Sequence, residues 1–113
     1  MATIDHWLHH VNSLTSFNAI VWHGTQTSRD LIRDNEFYFE GITKTMAKTN
    51  NVYKFEVLLT TFEVLLQDVE LLSKPFWKYL VIDEAHRLKV CLYHYLQHTI
   101  NAHLNIEQAV SVV

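Results

Sequence analysis

Apolar residues recur at two spacings in this sequence, and each spacing predicts a type of secondary structure. From Ile4 to Leu14 they follow the helical repeat, which predicts a first helix with Thr3 as its N-cap. A short apolar run then occupies residues 18–23 and is closed by Gly24, as is typical of a buried strand. The chain therefore opens with a helix followed by a strand.

The same alternation continues in the middle of the chain. A second helix is predicted from Thr27, which stands three residues before Asp30 in a capping-box relation, to about Phe39. Residues 40–53 have the composition of a solvated loop, and residues 54–60 that of the next strand.

A third helix and a third strand complete the pattern. Thr60 and Glu63 form another capping-box pair, ahead of apolar residues at helical spacing over 62–69. Pro75 interrupts the chain before the apolar strand 77–82. Alternating helices and strands predict an α/β fold with a parallel sheet flanked by helices.

Composition narrows the class of protein. The 113 residues are 49% hydrophobic and 19% charged, which suits one domain or part of a larger one. A single cysteine, Cys91, excludes an internal disulfide framework. No apolar run approaches the roughly 18–20 residues of a membrane helix, so no membrane partner is expected. The net charge of -3 gives no general attraction to nucleic acid.

Two adjacent carboxylates, Asp83 and Glu84, follow the third strand, at the end of the sheet where parallel α/β proteins gather their chemistry. One carboxylate in such a place suits a Mg²⁺ ion, and the second suits the water that attacks the γ-phosphate of ATP. An acidic turn after a strand is the plain alternative. The full tetrad Asp-Glu-Ala-His over residues 83–86 favours the Mg²⁺–ATP site.

Four segments of the chain resemble motifs of one family. Residues 83–89, Asp-Glu-Ala-His-Arg-Leu-Lys, resemble the extended DEAH-box motif of Swi/Snf-like superfamily-two helicases. Residues 60–65 resemble that family's Thr-Thr-Phe-Glu segment, residues 21–29 its His-Gly-Ser-Gln…Ser-Arg segment, and residues 3–7 the opening of its first DNA-facing helix. Together they resemble most closely the chromodomain-helicase-DNA-binding (CHD) chromatin remodellers, over about residues 3–89.

The resemblance implies an incomplete RecA-like lobe of the P-loop NTPase type. The lobe would belong to a translocase of the nucleus that hydrolyses ATP with Mg²⁺, with duplex DNA and nucleosomes as its partners. We accordingly predict that residues 1–89 form a partial N-terminal helicase ATP-binding lobe and that residues 90–113 form a divergent helical tail. In the tail, Leu92, Leu96, Ile100 and Leu104 fall at helical spacing.

Roles for individual residues follow from the same resemblance. Asp83 would hold Mg²⁺, Glu84 would position the attacking water, and His86 would couple the nucleotide site to the rest of the motor. Thr60 and Thr61 would lie beside a DNA phosphate, where hydroxyls and the free N–H groups of a helix start suit an anion. Simple N-capping by Thr60 is an alternative that is compatible with this role.

Arg87 and Lys89 are assigned to the positively charged DNA track on the same basis, with solvated surface charge as the alternative.

The departures from the family pattern bear on activity. No Gly-x-x-x-x-Gly-Lys-[Ser/Thr] loop is present, and Val90 stands where the family has asparagine. The second lobe is also missing, so we expect a chain that is truncated at both ends and inactive alone. A natural fragment, a splice variant and a decayed gene copy all fit this pattern.

Two other functions remain open. One is a non-catalytic module that binds DNA or a partner. The other is a small histidine-rich metal-binding protein, because His94 and His98 have the spacing of a two-histidine zinc site, and a second cluster comprises His6, His9 and His10. Polar histidines on amphipathic helices are the simpler explanation.

A truncated lobe also has consequences for stability. Missing neighbours should leave at least one edge or face of the sheet uncovered, along the strands that contain Leu58, Leu59, Leu80, Val81 and Ile82. Since a whole domain is stable by only about 5–15 kcal/mol, we expect the isolated chain to be marginally folded and to self-associate through exposed sheet.

Overall fold

The computed structural model describes residues 2–41, 52–83, 98 and 104–112. In these ranges the helices are α1 (Ala2–Leu14), α2 (Gln26–Ile32), α3 (Phe62–Gln67) and α4 (Val69–Leu72), and a π-helical segment, Arg33–Phe37, continues directly from α2. The strands are β1 (Ala19–Trp22), β2 (Val57–Thr60), β3 (Phe76–Asp83) and β4 (Asn105–Val112).

The strands pair in two parallel ladders, one in each of two compact units. In residues 1–64, β1 pairs with β2, and Trp22 lies opposite Thr60. In residues 65–113, β3 pairs with β4. Parallel strands require a crossover connection, and α2 with the π-helical segment lies in the crossover from β1 to β2. The predicted α/β class, with parallel strands and helices between them, is confirmed.

Strand β2 is shorter than predicted because residues 54–56 hydrogen-bond elsewhere. The carbonyl of Asn18 accepts from the N–H of Glu56 at 2.9 Å, and the side-chain amide of Asn18 donates to the carbonyl of Lys54 at 3.0 Å. The N–H of Lys54 donates to the carbonyl of Phe37 at 2.8 Å. These bonds fix the entry to β2 and tie it to the end of the π-helical segment.

All three predicted N-caps are wrong by at least one residue. Thr3 lies inside α1. The cap of α2 is Thr25, whose Oγ1 accepts from the N–H of Ser28 at 3.1 Å. The cap of α3 is Thr61, whose Oγ1 accepts from the N–H of Val64 at 3.4 Å. The caps of α2 and α3 are set by the point at which the chain leaves β1 and β2, which the polar pattern alone does not reveal.

An aromatic cluster forms the core of the first unit. Phe37 ends the π-helical segment and is 1% exposed, as is Trp22 on β1, and the centroids of these two rings are 5.1 Å apart. The ring of Phe55 lies 4.9 Å from that of Phe37. Tyr38 and Tyr53 extend the cluster, with ring centroids 5.9 Å apart. Tilted ring packing of this kind adds to the free energy gained by burial.

Helix α1 contacts both strands of the first unit. Its anchor is Ile4, which is buried, and Ile20 is buried on β1. The helical spacing of apolar residues thus correctly predicted a helix with an inward face. Leu14, at the end of the helix, remains largely exposed.

The second unit contains a strand that the sequence analysis missed. Residues 105–112 form β4, so the predicted helical tail is wrong for this segment. The helical spacing of apolar residues stops at Leu104, whereas the β-branched residues Ile106, Val110 and Val112 favour a strand once β3 provides a parallel partner. The other predicted helical positions lie outside the described residues: Leu92, Leu96 and Ile100.

Trp77 fixes the start of β3. Its indole Nε1 donates to the carbonyl of Leu72, the buried last residue of α4, at 2.7 Å.

Other side chains of β3 face solvent, and Phe76, Tyr79 and Val81 are 55%, 63% and 48% exposed. Within the described residues each ladder has two strands, so each strand has one edge without a strand neighbour. Self-association through these strands stays a prediction.

Replacement of Phe37 tests the aromatic core. Phe37→Ala should lower the free energy of unfolding by about 3–5 kcal/mol, because it leaves a cavity between Trp22 and Phe55. Phe39→Ala is the matched control, since Phe39 is 47% exposed and its truncation should cost about 1 kcal/mol or less. Urea unfolding followed by tryptophan fluorescence measures both, and equal losses would contradict the assigned core.

Alkaline pH should destabilise the first unit through two tyrosines. Burial raises the pKa of the Tyr38 phenol above 10.0; Arg33 opposes this rise and Asp34 adds to it. Burial also raises the pKa of Tyr53 above 10.0, and the neighbouring Tyr38 raises it further. The folded state therefore holds these protons more tightly than the unfolded state. Their contribution to stability is complete below about pH 10 and is lost as pH rises through the folded-state pKa.

The double variant Tyr38→Phe/Tyr53→Phe should accordingly show a shallower decline in the free energy of unfolding above about pH 10 than the parent chain. Tyr79→Phe, at an exposed position of β3, is the control that should keep the parent slope. Urea unfolding at a series of pH values measures the slopes, and parallel declines in the parent and the double variant would show that these phenols are not responsible.

Candidate functional site

The two threonines predicted to contact DNA lie at the carboxyl end of β2, which is paired with the end of β1. Thr60 ends β2 opposite Trp22, which ends β1. The Thr60 hydroxyl donates to the Trp22 carbonyl at 2.7 Å, with a longer contact of 3.4 Å to the carbonyl of Thr61. Thr60 is therefore a strand residue whose hydroxyl hydrogen is used inside the fold, and the capping role considered for it is wrong.

Thr61 has the complementary role. It follows β2 directly and is half-buried, and its Oγ1 accepts from the N–H of Val64 as the cap of α3. A hydroxyl that accepts through its oxygen retains its hydrogen for donation. Within the described part of the chain, Thr61 rather than Thr60 is thus the threonine able to donate to an outside anion such as a phosphate.

A glycine turn joins β1 to α2. Gly24 has a φ of +102°, a backbone conformation that favours glycine, and a Cβ there would lie 3.4 Å from the Cβ of Ser28. Thr25 follows as the cap of α2, with its hydroxyl 3.1 Å from that of Ser28. The turn also places half-buried His23 directly after β1.

Arg29 holds this turn in place. Its side chain is only 5% exposed; Nη1 donates to the carbonyl of Gly24 at 2.7 Å, and Nη2 donates to Oε1 of Gln26 at 2.9 Å. These charge-assisted bonds give Arg29 a structural role that sequence reasoning missed. One signal in the sequence could have indicated this role. When a helix follows a glycine turn, an arginine near the start of the helix can donate back to the carbonyl of that glycine.

Asp83 lies in the second unit as the last residue of β3, opposite Val112 of β4, and its side chain is half-buried. The carboxylate is thus at the carboxyl end of a parallel strand, where the sequence predicted it. Carboxylate oxygens suit Mg²⁺. A phosphate-binding loop needs closely spaced glycines, and this sequence does not provide them. It has only two glycines, and Gly24 and Gly41 lie in separate turns. Among the described residues, Asp83 is therefore the one predicted Mg²⁺ ligand, and the sequence contains no glycine-rich loop for a triphosphate.

The other predicted nucleotide- and DNA-site residues lie outside the described residues: Glu84, His86, Arg87 and Lys89. Asp83 belongs to the second unit, and Thr60 and Thr61 belong to the first. Of the histidine pair considered for zinc, His94 also lies outside the described residues. Among those the structure does describe, no three His, Cys, Asp or Glu side chains are grouped to hold a metal ion. None of the described helices has the length and apolar character to span a membrane.

Comparison with known sequences places these features in a family. The model of the SNF2-related domain matches residues 1–110, which extends past residue 89, where the motif resemblance ended. Chromodomain-helicase-DNA-binding protein 6 of Rattus norvegicus is 42% identical over 89 residues, covering 79% of this chain and 3% of that protein. Chromodomain-helicase-DNA-binding protein 8 is 39% identical in Homo sapiens and 40% in Danio rerio, again over 79% of this chain.

The chain spans 3% to 4% of the length of these curated relatives. The α/β architecture with parallel strand pairs is consistent with part of the RecA-like lobe of such a domain. Because the family match covers nearly the whole sequence, this chain belongs to the SNF2-related domain family.

Proposed function

We propose that this chain forms part of the first, ATP-binding lobe of a CHD-type chromatin remodeller, in which ATP hydrolysis drives movement along DNA. The observation that supports the proposal best is Asp83 at the carboxyl end of parallel strand β3, followed in sequence by Glu84-Ala85-His86. Nucleotide-binding α/β proteins place their ligands at this edge of the sheet. Membership of the SNF2-related family and 42% identity to a relative named as a helicase support the same function.

The two carboxylates would divide the chemistry of hydrolysis. Asp83 would hold Mg²⁺ beside the phosphates, where the ion supplies neutralisation of the developing negative charge. Glu84 would accept a hydrogen bond from the attacking water and orient it toward the γ-phosphate. His86 would couple the nucleotide site to the residues that contact DNA.

Thr61, Arg87 and Lys89 are the proposed DNA contacts. Thr61 would donate its hydroxyl hydrogen to a phosphate oxygen, whereas Arg87 and Lys89 would supply positive charge. Thr60 would act indirectly, because its bond to the Trp22 carbonyl holds the end of β2 from which Thr61 follows. Nucleosomes as the substrate and the nucleus as the location belong to the same proposal through the relationship to CHD proteins.

The chain by itself should not hydrolyse ATP, whereas the same segment should support hydrolysis when the missing parts are supplied. The parts of a phosphoryl-transfer site act non-additively, and the phosphate loop is absent from these 113 residues. Phosphate release by the purified chain, with Mg²⁺ and duplex DNA, should therefore equal that of its Glu84→Gln variant. A chimera in which the aligned segment of this chain replaces the matching 89 residues of the rat relative should hydrolyse ATP in response to DNA.

Variants of the chimera separate the assigned roles from the overall function. Asp83→Asn or Glu84→Gln in the grafted segment should lower DNA-stimulated hydrolysis by about a hundredfold or more. Hydrolysis that survives both substitutions would contradict the roles of the carboxylates. A folded chimera without any hydrolysis would contradict the proposed function, and DNA-stimulated release by the isolated chain would contradict the need for a phosphate loop.

A non-catalytic DNA-binding module is the second candidate function. The hydrogen-bonding of Thr61 favours it, since this hydroxyl can donate to a phosphate without giving up its capping bond. Such a module would bind duplex DNA through phosphate contacts and release no phosphate from ATP. Its affinity would fall as the salt concentration rises.

Substitutions of the two threonines test the DNA contact. Thr61→Val should weaken binding to duplex DNA by about fivefold, since one hydrogen bond contributes roughly 1 kcal/mol, and Thr61→Ser should retain the parent affinity. Thr60→Val should mainly reduce stability, by about 1–3 kcal/mol, because the Trp22 carbonyl loses this donor. Fluorescence anisotropy with labelled duplex and urea unfolding provide the two measurements.

Salt titrations complete this test. Arg87→Ala and Lys89→Ala should each reduce the slope of log affinity against log salt by about one. Equal losses of affinity in Thr61→Ser and Thr61→Val would exclude the hydroxyl as the donor. A parent chain without salt-dependent binding would remove the DNA-binding module as a candidate.

A further inference from the structure

Three histidines lie on the exposed side of α1. His6 and His10 are one helical turn apart, and their Nε2 atoms are 2.9 Å from each other. The two imidazole rings meet edge to face, with centroids 4.3 Å apart and planes inclined by 82°. The ring of His9 is more distant, with its centroid 6.1 Å from that of His10. His6 and His10 therefore form a close pair of exposed nitrogen donors.

The separation of the two nitrogens matches the spacing of neighbouring ligands in one type of metal coordination. With metal–nitrogen bonds of about 2.0–2.1 Å, nitrogens 2.9 Å apart subtend an angle of about 90° at the metal. A tetrahedral site with the same bond lengths would need nitrogens about 3.3 Å apart. An angle near 90° suits neighbouring positions in square-planar or octahedral coordination, which copper(II) and nickel(II) adopt with nitrogen ligands.

We propose that His6 and His10 form a two-nitrogen chelate on α1 for a divalent late transition metal, with copper(II) bound most tightly and nickel(II) next. Water fills the remaining positions, because the described residues hold no group of three or more His, Cys, Asp or Glu suited to a metal ion. The site is separate from the proposed ATPase function and does not depend on it.

The helix supplies the preorganisation that the chelate needs. Side chains four residues apart lie on the same face of a helix, so the second imidazole binds intramolecularly once the first has bound. In the hydrogen bond between the two Nε2 atoms, one nitrogen carries the hydrogen and the other accepts through its lone pair. Chelation requires the donor ring to take the tautomer with its hydrogen on Nδ1, after which both Nε2 lone pairs can bind the ion. Both rings are exposed, which leaves them able to turn so that both lone pairs converge on one ion.

Metal binding should also stabilise the first unit. Ile4, which is buried two residues before His6, connects the start of α1 to the core. An ion that bridges two successive turns of this helix binds the folded chain more tightly than the unfolded one, where the histidines are not held together. The thermal midpoint should therefore rise with the concentration of the metal.

Calorimetric titration of the full chain with copper(II) tests the site, with glycine as a weak competitor to suppress binding by isolated histidines. His6→Ala and His10→Ala should each reduce the affinity at the tightest site by about tenfold or more, because each removes one arm of the chelate. His9→Ala and His23→Ala are the matched controls and should retain the parent affinity. Nickel(II) should bind the parent more tightly than zinc(II), as expected for an angle near 90°.

Three outcomes would overturn the proposal. The first is that the tightest copper(II) site survives both His6→Ala and His10→Ala. The second is that His9→Ala lowers the affinity as much as those variants do. The third is that zinc(II) binds more tightly than nickel(II). A measurement on the unmutated chain covers the case of a variant that fails to fold. Substoichiometric copper(II) should broaden the ring proton resonances of His6 and His10 before those of the other histidines, and any other order would also overturn it.

Discussion

The hydrogen bond from the Thr60 hydroxyl to the Trp22 carbonyl joins the ends of β1 and β2, and much of the first unit follows from it. The two residues are register partners in a parallel ladder, where the backbone bonds are evenly spaced and slanted. The added side-chain bond sets the point at which both strands stop. The Gly24 turn and the Thr61 cap follow from that point, and Trp22 is held where its indole packs against Phe37.

The crossover between these strands is held by buried side chains at both ends rather than by helix propensity. Helix α2 has seven residues, which is too short to be stable by itself in water. At its start Arg29 bonds back to the Gly24 carbonyl, and at the end of the π-helical segment Phe37 enters the aromatic core. A π-helical segment advances the chain by less rotation per residue than an α-helix, so it changes which residue reaches the core. The segment that connects β1 to β2 is thus held in place by the packing of Arg29 and Phe37.

The carboxyl ends of β1, β2 and β3 could be predicted from the sequence to within one residue, because their apolar runs end at clear signals such as Gly24. Helix starts could not, since Thr25, Thr27, Thr60 and Thr61 are all acceptable capping residues and only the geometry of each turn chooses among them. The same limit applied to the candidate site. The sequence placed two hydroxyls at the end of β2, but which of them can donate outward depends on hydrogen bonds to Trp22 and Val64 that no sequence pattern encodes.

Strand β4 was the hardest element to predict because its formation depends on a partner distant in sequence. Its pairing continues to the end of β3, where Val112 lies opposite Asp83, so the segment interpreted as a tail instead supports the backbone that carries the carboxylate. A ladder of two strands is only marginally stable, and β3 still exposes Phe76 and Tyr79. Further neighbours would stabilise it, whether they come from the rest of a lobe or from a second copy of the chain. The exposed side chains and the unpaired edge of β3 are therefore the physical basis of the predicted self-association.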